Sequence, residues 1–306
     1  MLASNAQAST KGASLLKKTT LSLAVAGLAA LAIVPAGRVQ AQAQSGSVQS
    51  GGATIAYRVQ GHGPAMMLIH GYPLSGELFA RNRAQLARRY TVVTPDLRGF
   101  GSSTTPDTKG GVELYAKDML AVMDHLNIKK AIIGGMSMGG PVVLEMYREA
   151  PTRFRGMMLI DSTTSPANDV EKAQWPGFGK QAQDKGVASM IPVLMPQMLT
   201  TPSRVAQPNV VAFVGSIVKR GSVKAAVAGG STLANRPDSR NTKIGVPVLF
   251  LVGQDDPIYP LEMDQKMHQD TPGSRLAVIP GAAHAAVIEK PEAASRAILA
   301  WASTVR

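Results

Sequence analysis

The stretch GGMSMGG, Gly134–Gly140, decides how this chain is read. It follows the apolar run Ala131-Ile132-Ile133 and precedes Pro141–Ala150, whose composition suits a helix with proline in its first turn. A plain connection from strand to helix needs one or two glycines, yet this one has four, and a lone serine. Within it, Gly135-Met136-Ser137-Met138-Gly139 has the spacing G-x-S-x-G. Glycines at those places let the backbone turn sharply and let the following helix approach the sheet closely. Ser137 is then exposed at the top of the sheet, where the start of the helix favours developing negative charge.

Working outward, short apolar or β-branched runs alternate with helical spacing. Strands are expected at Ala53–Gly61, Ala65–Ile69, Tyr90–Thr94, Lys130–Gly134, Arg155–Ile160, Val246–Val252 and Leu276–Ile279. Helices are expected at Glu77–Arg89, Val112–Leu126, Pro141–Ala150, Leu261–Met267 and Ala293–Thr304. This rhythm implies an α/β fold with a mostly parallel, twisted sheet flanked by helices. The segment 165–242 breaks it. It is rich in Pro, Gln, Met and small residues, with short helical pieces near Val187–Leu199 and Val205–Val218. It reads as a helical cap inserted before the last core strands, with Pro176-Gly177 as punctuation of a mobile cover.

A serine nucleophile needs a base. Of the five histidines, only His268 and His284 follow Ser137 with room for an acid between. His268 lies in a helical stretch and is expected at the surface. His284 follows the Leu276–Ile279 strand through Pro280-Gly281-Ala282-Ala283, on a loop at the strand's C-terminal end, where α/β sheets gather ligands. Asp256, after the strand that ends at Val252, is the leading candidate for the orienting acid. Asp255 and the strand-ending Asp161 are alternatives. Oxyanion donors are expected from the backbone N–H groups of Met138 and of Tyr72, in the loop His70-Gly71-Tyr72-Pro73. His70 is expected to hold that loop rather than react.

Before residue 44 the pattern changes. Lys11, Lys17 and Lys18 precede an apolar run, Leu21–Val34, and Ala41-Gln42-Ala43 supplies a small-x-small cleavage pattern. The run is shorter than the ~20 apolar residues a spanning helix needs. Residues 1–43 therefore read as a Sec-type signal peptide and 44–306 as the mature chain, which predicts a periplasmic or secreted protein with no stable membrane anchor after cleavage. The expected mature chain keeps 28 basic and 20 acidic residues, a net charge of +8. The basic residues are scattered; the local cluster Arg81, Arg83, Arg88 and Arg89 is expected to be a solvated helix face. Without a basic stripe, a nucleic-acid partner is not expected. The chain has no cysteine, so neither a thiol nucleophile nor a disulfide is available. No clustered His, Asp and Glu spacing points to a metal, and the chemistry expected needs no cofactor.

The stretches LIHGYP, DLRGFGSS, GMSMGG, GQDDPIYP and IPGAAH, in this order and spacing, resemble the α/β-hydrolase fold family, in particular its serine esterases, lactonases, haloperoxidases and carbon–carbon hydrolases. The resemblance runs from about Thr54 to the end of the chain. It implies a Ser137–Asp256–His284 triad. Gly253, three residues before Asp256, and Pro260, four after it, favour Asp256 over Asp255. It also makes DLRGFGSS a structural turn. The expected reaction is hydrolysis of a carboxylic ester or lactone through an acyl-enzyme, on a small-molecule substrate with an apolar acyl or alcohol group. Carbon–carbon bond hydrolysis, cofactor-free perhydrolysis and a non-catalytic ligand-binding role are the alternatives. Trp175, Phe178, Met190, Met195 and Met198 are expected to form the cap's own core or to line its cleft.

Overall fold

A computed structural model describes residues 42–305. All but the last two residues of the expected signal segment, Gln42 and Ala43, lie outside the described residues. Eight strands form one sheet: β1 (Gln44–Ser50), β2 (Ala53–Gln60), β3 (Ala65–Ile69), β4 (Thr91–Pro95), β5 (Ala131–Met136), β6 (Phe154–Ile160), β7 (Val248–Gly253) and β8 (Arg275–Ile279). Their order is β1-β2-β4-β3-β5-β6-β7-β8. The β1–β2 and β2–β4 pairs are antiparallel, and all the others are parallel. Strands β3 to β7 are almost continuous buried runs, as strands covered on both faces must be.

Strand β1 is not foreseen in the sequence, because QSGSVQS carries a single large apolar residue. It forms because Gly51 and Gly52 both take positive φ, as a two-residue hairpin loop demands, and lay the segment along β2. Arg98 fastens this hairpin. Its guanidinium grips both oxygens of Asp118, at 2.9 and 2.7 Å, and donates to the carbonyls of Ser50 and Gly51.

The flanking helices are α1 (Ala80–Leu86), α2 (Val112–His125), α3 (Gly139–Glu149), α9 (Leu261–Asp270), α10 (Ala286–Glu289) and α11 (Pro291–Ala302). α1 packs on α11, and α2 on α3. The helix expected over Glu77–Arg89 is split: a 3-10 turn, Gly76–Phe79, precedes α1, and Ser75 caps it. The arginine cluster there is not wholly solvated. Arg83 is buried, donates to Thr94 Oγ1 and lies 3.6 Å from Glu77.

Five helices lie between β6 and β7: α4 (Asp169–Lys185), α5 (Ile191–Met198), α6 (Thr201–Ala206), α7 (Pro208–Lys219) and α8 (Val223–Ala234). Neither α4 nor α8 is anticipated in the sequence. Pro176-Gly177 does not break the chain, for α4 runs straight through it. Three features compensate for the bond that Pro176 removes. Asn168 and Glu171 form a capping box, Arg236 grips Glu171 at 2.7 Å, and Trp175, Phe178 and Ala182 bury one face. Gly230 lets α8 approach closely, since a Cβ there would lie 2.5 Å from the carbonyl oxygen of Trp175.

Candidate active site

Ser137 sits between β5 and α3 at φ +53°, in the left-handed region that a non-glycine residue occupies at a cost of about 1–3 kcal/mol. The surroundings hold it there. Its N–H donates to Ile160 O at 2.9 Å, and its carbonyl accepts from Ser162 Oγ at 2.8 Å. The motif glycines are needed for space. A Cβ on Gly135 would lie 2.1 Å from Gly139 O, and one on Gly139 would lie 2.5 Å from Ile69 O.

His284 follows β8 and reaches both neighbours. Its Nε2 is 2.9 Å from Ser137 Oγ, and its Nδ1 is 2.8 Å from Asp256 Oδ2. With Nδ1–H donating to the carboxylate, Nε2 is free to accept the serine proton. Asp256 Oδ1 accepts from the N–H groups of Ile258 and Tyr259, at 2.8 and 3.1 Å, which fixes the carboxylate plane. All three side chains are buried: Ser137 and Asp256 are 4% exposed and His284 1%. The ring of Tyr259 stands edge-on to that of His284, with centroids 5.5 Å apart.

The sequence alternatives fall elsewhere. Asp255 is exposed. Asp161 accepts from Gly253 N at 2.7 Å and Ala286 N at 3.2 Å, so it ties the ends of β6 and β7 to the histidine loop. Burial, followed by the charge of Asp256, raises the Asp161 carboxyl well above the usual carboxylate range. His268 is half-buried rather than at the open surface, and its Nδ1 is 2.7 Å from Ser274 Oγ.

The loop after β3 lies directly over the serine, for a Cβ on Gly71 would be 2.8 Å from that of Ser137. His70 clamps this loop. Its Nδ1 donates to Gly71 O and its Nε2 accepts from Leu97 N, both at 2.9 Å, and burial lowers its pKa. Asp96, in the turn DLRGFGSS, accepts from Gly76 N and Ser102 N. Among the described residues, the N–H groups of Tyr72 and Met138 have no acceptor, although both residues are buried. Two buried donors thus remain open beside Ser137.

The five cap residues singled out in the sequence are all buried. Trp175 meets the Tyr72 ring edge-on at 6.3 Å. It also lines a cavity of about 350 Å³ together with Glu171, Gln174, Gln197, Tyr259 and Met263. Among the described residues, the Trp175 indole N–H and the Tyr72 hydroxyl have no hydrogen-bond partner.

Sequence reasoning missed Asp264 and Glu289. Asp264 is fully buried on α9, and neither of its oxygens has a partner among the described residues. Burial and the charge of Asp256 push its carboxyl up to about 8. The spacing of Leu261, Asp264 and Met267 would have placed it on the apolar stripe of the helix. Glu289 gave no signal, because the fold alone brings Thr200, far away in sequence, and the backbone of Ala283 to its carboxylate.

Among the described residues, no group of His, Asp and Glu side chains could hold a metal ion, and no helix is long and apolar enough to cross a membrane.

A family profile described as the alpha/beta hydrolase fold matches residues 64–291. The chain is similar to a thermophilic esterase from Thermogutta terrifontis, with TM-score 0.81 and 28% identity over 87% of this chain and 99% of that one. It is 24% identical to 3-oxoadipate enol-lactonase 2 of Acinetobacter baylyi, over 77% of this chain and 87% of the relative. A bromoperoxidase from Bacillus anthracis shares the fold, with TM-score 0.76 and 21% identity over 86% of this chain and all of that one. The chain belongs to the alpha/beta hydrolase family and is a hydrolase.

Proposed function

We propose that the protein hydrolyses a carboxylic ester or lactone through an acyl-enzyme on Ser137. The observation that carries this reading is the unbroken hydrogen-bond chain Ser137 Oγ–His284–Asp256, next to two open backbone donors. Ser137 Oγ attacks the substrate carbonyl carbon while its proton passes to His284 Nε2. Asp256 holds the imidazole in the required tautomer and balances the imidazolium charge. The N–H groups of Tyr72 and Met138 receive the oxyanion. As the intermediate collapses, the carbon–oxygen bond to the leaving alkoxide breaks and His284 gives that oxygen the proton. Water then attacks the acyl carbon, with His284 as general base, and frees the acid and Ser137. No cofactor or metal takes part in these steps.

The reading includes export. Cleavage after Ala43 would leave β1, which starts at Gln44, intact. Intact-mass analysis of extracytoplasmic protein tests this, and recovery of only full-length chain in the membrane would overturn it.

The enzymatic test uses p-nitrophenyl esters, lactones and ring-fission ketones, with and without peroxide as acyl acceptor. Esters or lactones should turn over. Asp256→Asn should lose on the order of 10⁴ in kcat while Asp255→Asn stays active. Turnover confined to the ketones, or an inactive Asp255→Asn beside an active Asp256→Asn, would overturn the assignment.

A further inference from the structure

The loop that carries His284 hangs partly from the cap. Four consecutive backbone N–H groups, from Ala283 to Ala286, each have an acceptor. Ala283 N donates to Glu289 Oε2 at 2.7 Å, His284 N to Gln197 O at 3.3 Å, Ala285 N to Met198 O at 3.0 Å, and Ala286 N to Asp161 Oδ2 at 3.2 Å. Two of these acceptors are carbonyls at the C-terminal end of the cap helix α5.

Glu289 closes the arrangement from the other side. While Oε2 holds Ala283, Oε1 accepts from Thr200 N at 3.0 Å and from Thr200 Oγ1. Thr200 is the N-cap of α6, immediately after the segment whose carbonyls hold His284 and Ala285. The carboxylate is 2% exposed, so water does not compete for its lone pairs. Among the described residues, its hydrogen bonds go to Thr200 and Ala283 and not to Ser137 or Asp256. It has one oxygen on the histidine loop and one on the cap.

We propose that Glu289 is a positioning residue that couples the cap to His284, so that Nε2 meets Ser137 only while the segment 197–200 is seated. The proposal rests on the reading of His284 as the base. A carboxylate suits this place better than an amide. It faces two N–H donors and a hydroxyl, and all three require acceptors. A glutamine has one acceptor oxygen, and its NH₂ would face either Ala283 N–H or Thr200 N–H, releasing one side of the link. The distance from the imidazole to the serine hydroxyl then depends on a contact with Thr200, which lies far from both of them in the chain. A displacement of about 1 Å at a reacting group costs on the order of 10²-fold in rate.

The test uses the full mature protein and the variants Glu289→Gln, Thr200→Val, Thr200→Ser and Glu289→Gln/Thr200→Val. For each, kcat and KM are measured on one ester, with the labelling rate of a fluorophosphonate and the melting temperature. Glu289→Gln should lower kcat by roughly 10–100-fold, leave KM within about twofold, and slow labelling by the same factor as kcat. Thr200→Val should move in the same direction and Thr200→Ser should restore the wild-type rate. The double variant should be no slower than Glu289→Gln alone, because both changes break one link. Multiplying losses, wild-type labelling in Glu289→Gln, or a loss wholly explained by the folded fraction at assay temperature would overturn the coupling. A wild-type protein that fails to label at Ser137 would overturn the nucleophile assignment itself, and the coupling with it.

Discussion

Replacing Asp264 by Asn should stabilise the protein, and by an amount that grows with pH. The side chain is fully buried on α9, and neither oxygen has a partner among the described residues. Its carboxyl is raised from 3.8 to about 8 by burial and then by the charge of Asp256. Between those values the folded protein keeps a proton that the unfolded chain releases. The folded state therefore binds more protons there, and stability falls as pH rises from about 4 to about 8. One pKa unit corresponds to about 1.4 kcal/mol, so the penalty is on the order of 4 kcal/mol at pH 7 and levels off near 6 kcal/mol above pH 8. Asn keeps the size and polarity of the neutral acid but cannot ionise, so the two proteins should be nearly equal at pH 4. Urea unfolding of both at pH 4.5, 6, 7, 8 and 9, compared at each pH, isolates this residue from the other titrating groups. A difference that does not vary with pH, or a variant less stable than the parent at pH 8, would refute the reasoning.

Tyr72→Phe should retain most ester turnover, because the proposed oxyanion donor is the backbone N–H. Its hydroxyl is buried without a partner, so the melting temperature should hold or rise; a thousandfold loss of kcat in a folded variant would contradict this. Asp118→Ala should cost about 3–5 kcal/mol in urea unfolding, because it leaves the buried Arg98 guanidinium without its carboxylate. Gly135→Ala should give little folded, active protein by circular dichroism and ester assay, since a Cβ 2.1 Å from the Gly139 carbonyl oxygen cannot be relieved by a side-chain shift.

The parallel core was legible because its signal is local. Runs such as Ala65–Ile69 and 248–252 are apolar throughout, and glycine stands just after the first, at Gly71, and at the end of the second, at Gly253, where a side chain would clash. The serine, histidine and aspartate could be named because each ends or follows such a strand, and the structure brings Ser137 and Asp256 each within hydrogen-bond distance of His284. What escaped depends on distant partners. QSGSVQS has no strand pattern of its own and becomes β1 by pairing with β2. The helix α4 carries a Pro-Gly pair that local rules read as a break, and Arg236, more than fifty residues further on, helps to hold it together. Asp264 was within reach, since it shares the spacing of Leu261 and Met267, whereas Glu289 looks like an ordinary surface acid until the fold buries it.

The central claim is that Ser137 is the nucleophile of an acyl-transfer reaction. The most direct measurement is intact-mass and peptide mapping of the protein after treatment with a fluorophosphonate, run beside Ser137→Ala with ester turnover followed in parallel. The account predicts one adduct per chain, on the peptide containing Ser137, with turnover lost in proportion to labelling; Ser137→Ala should take up no label and lose on the order of 10⁴ or more in kcat. Labelling at another residue, or a Ser137→Ala variant that hydrolyses ester at the parent rate, would contradict it.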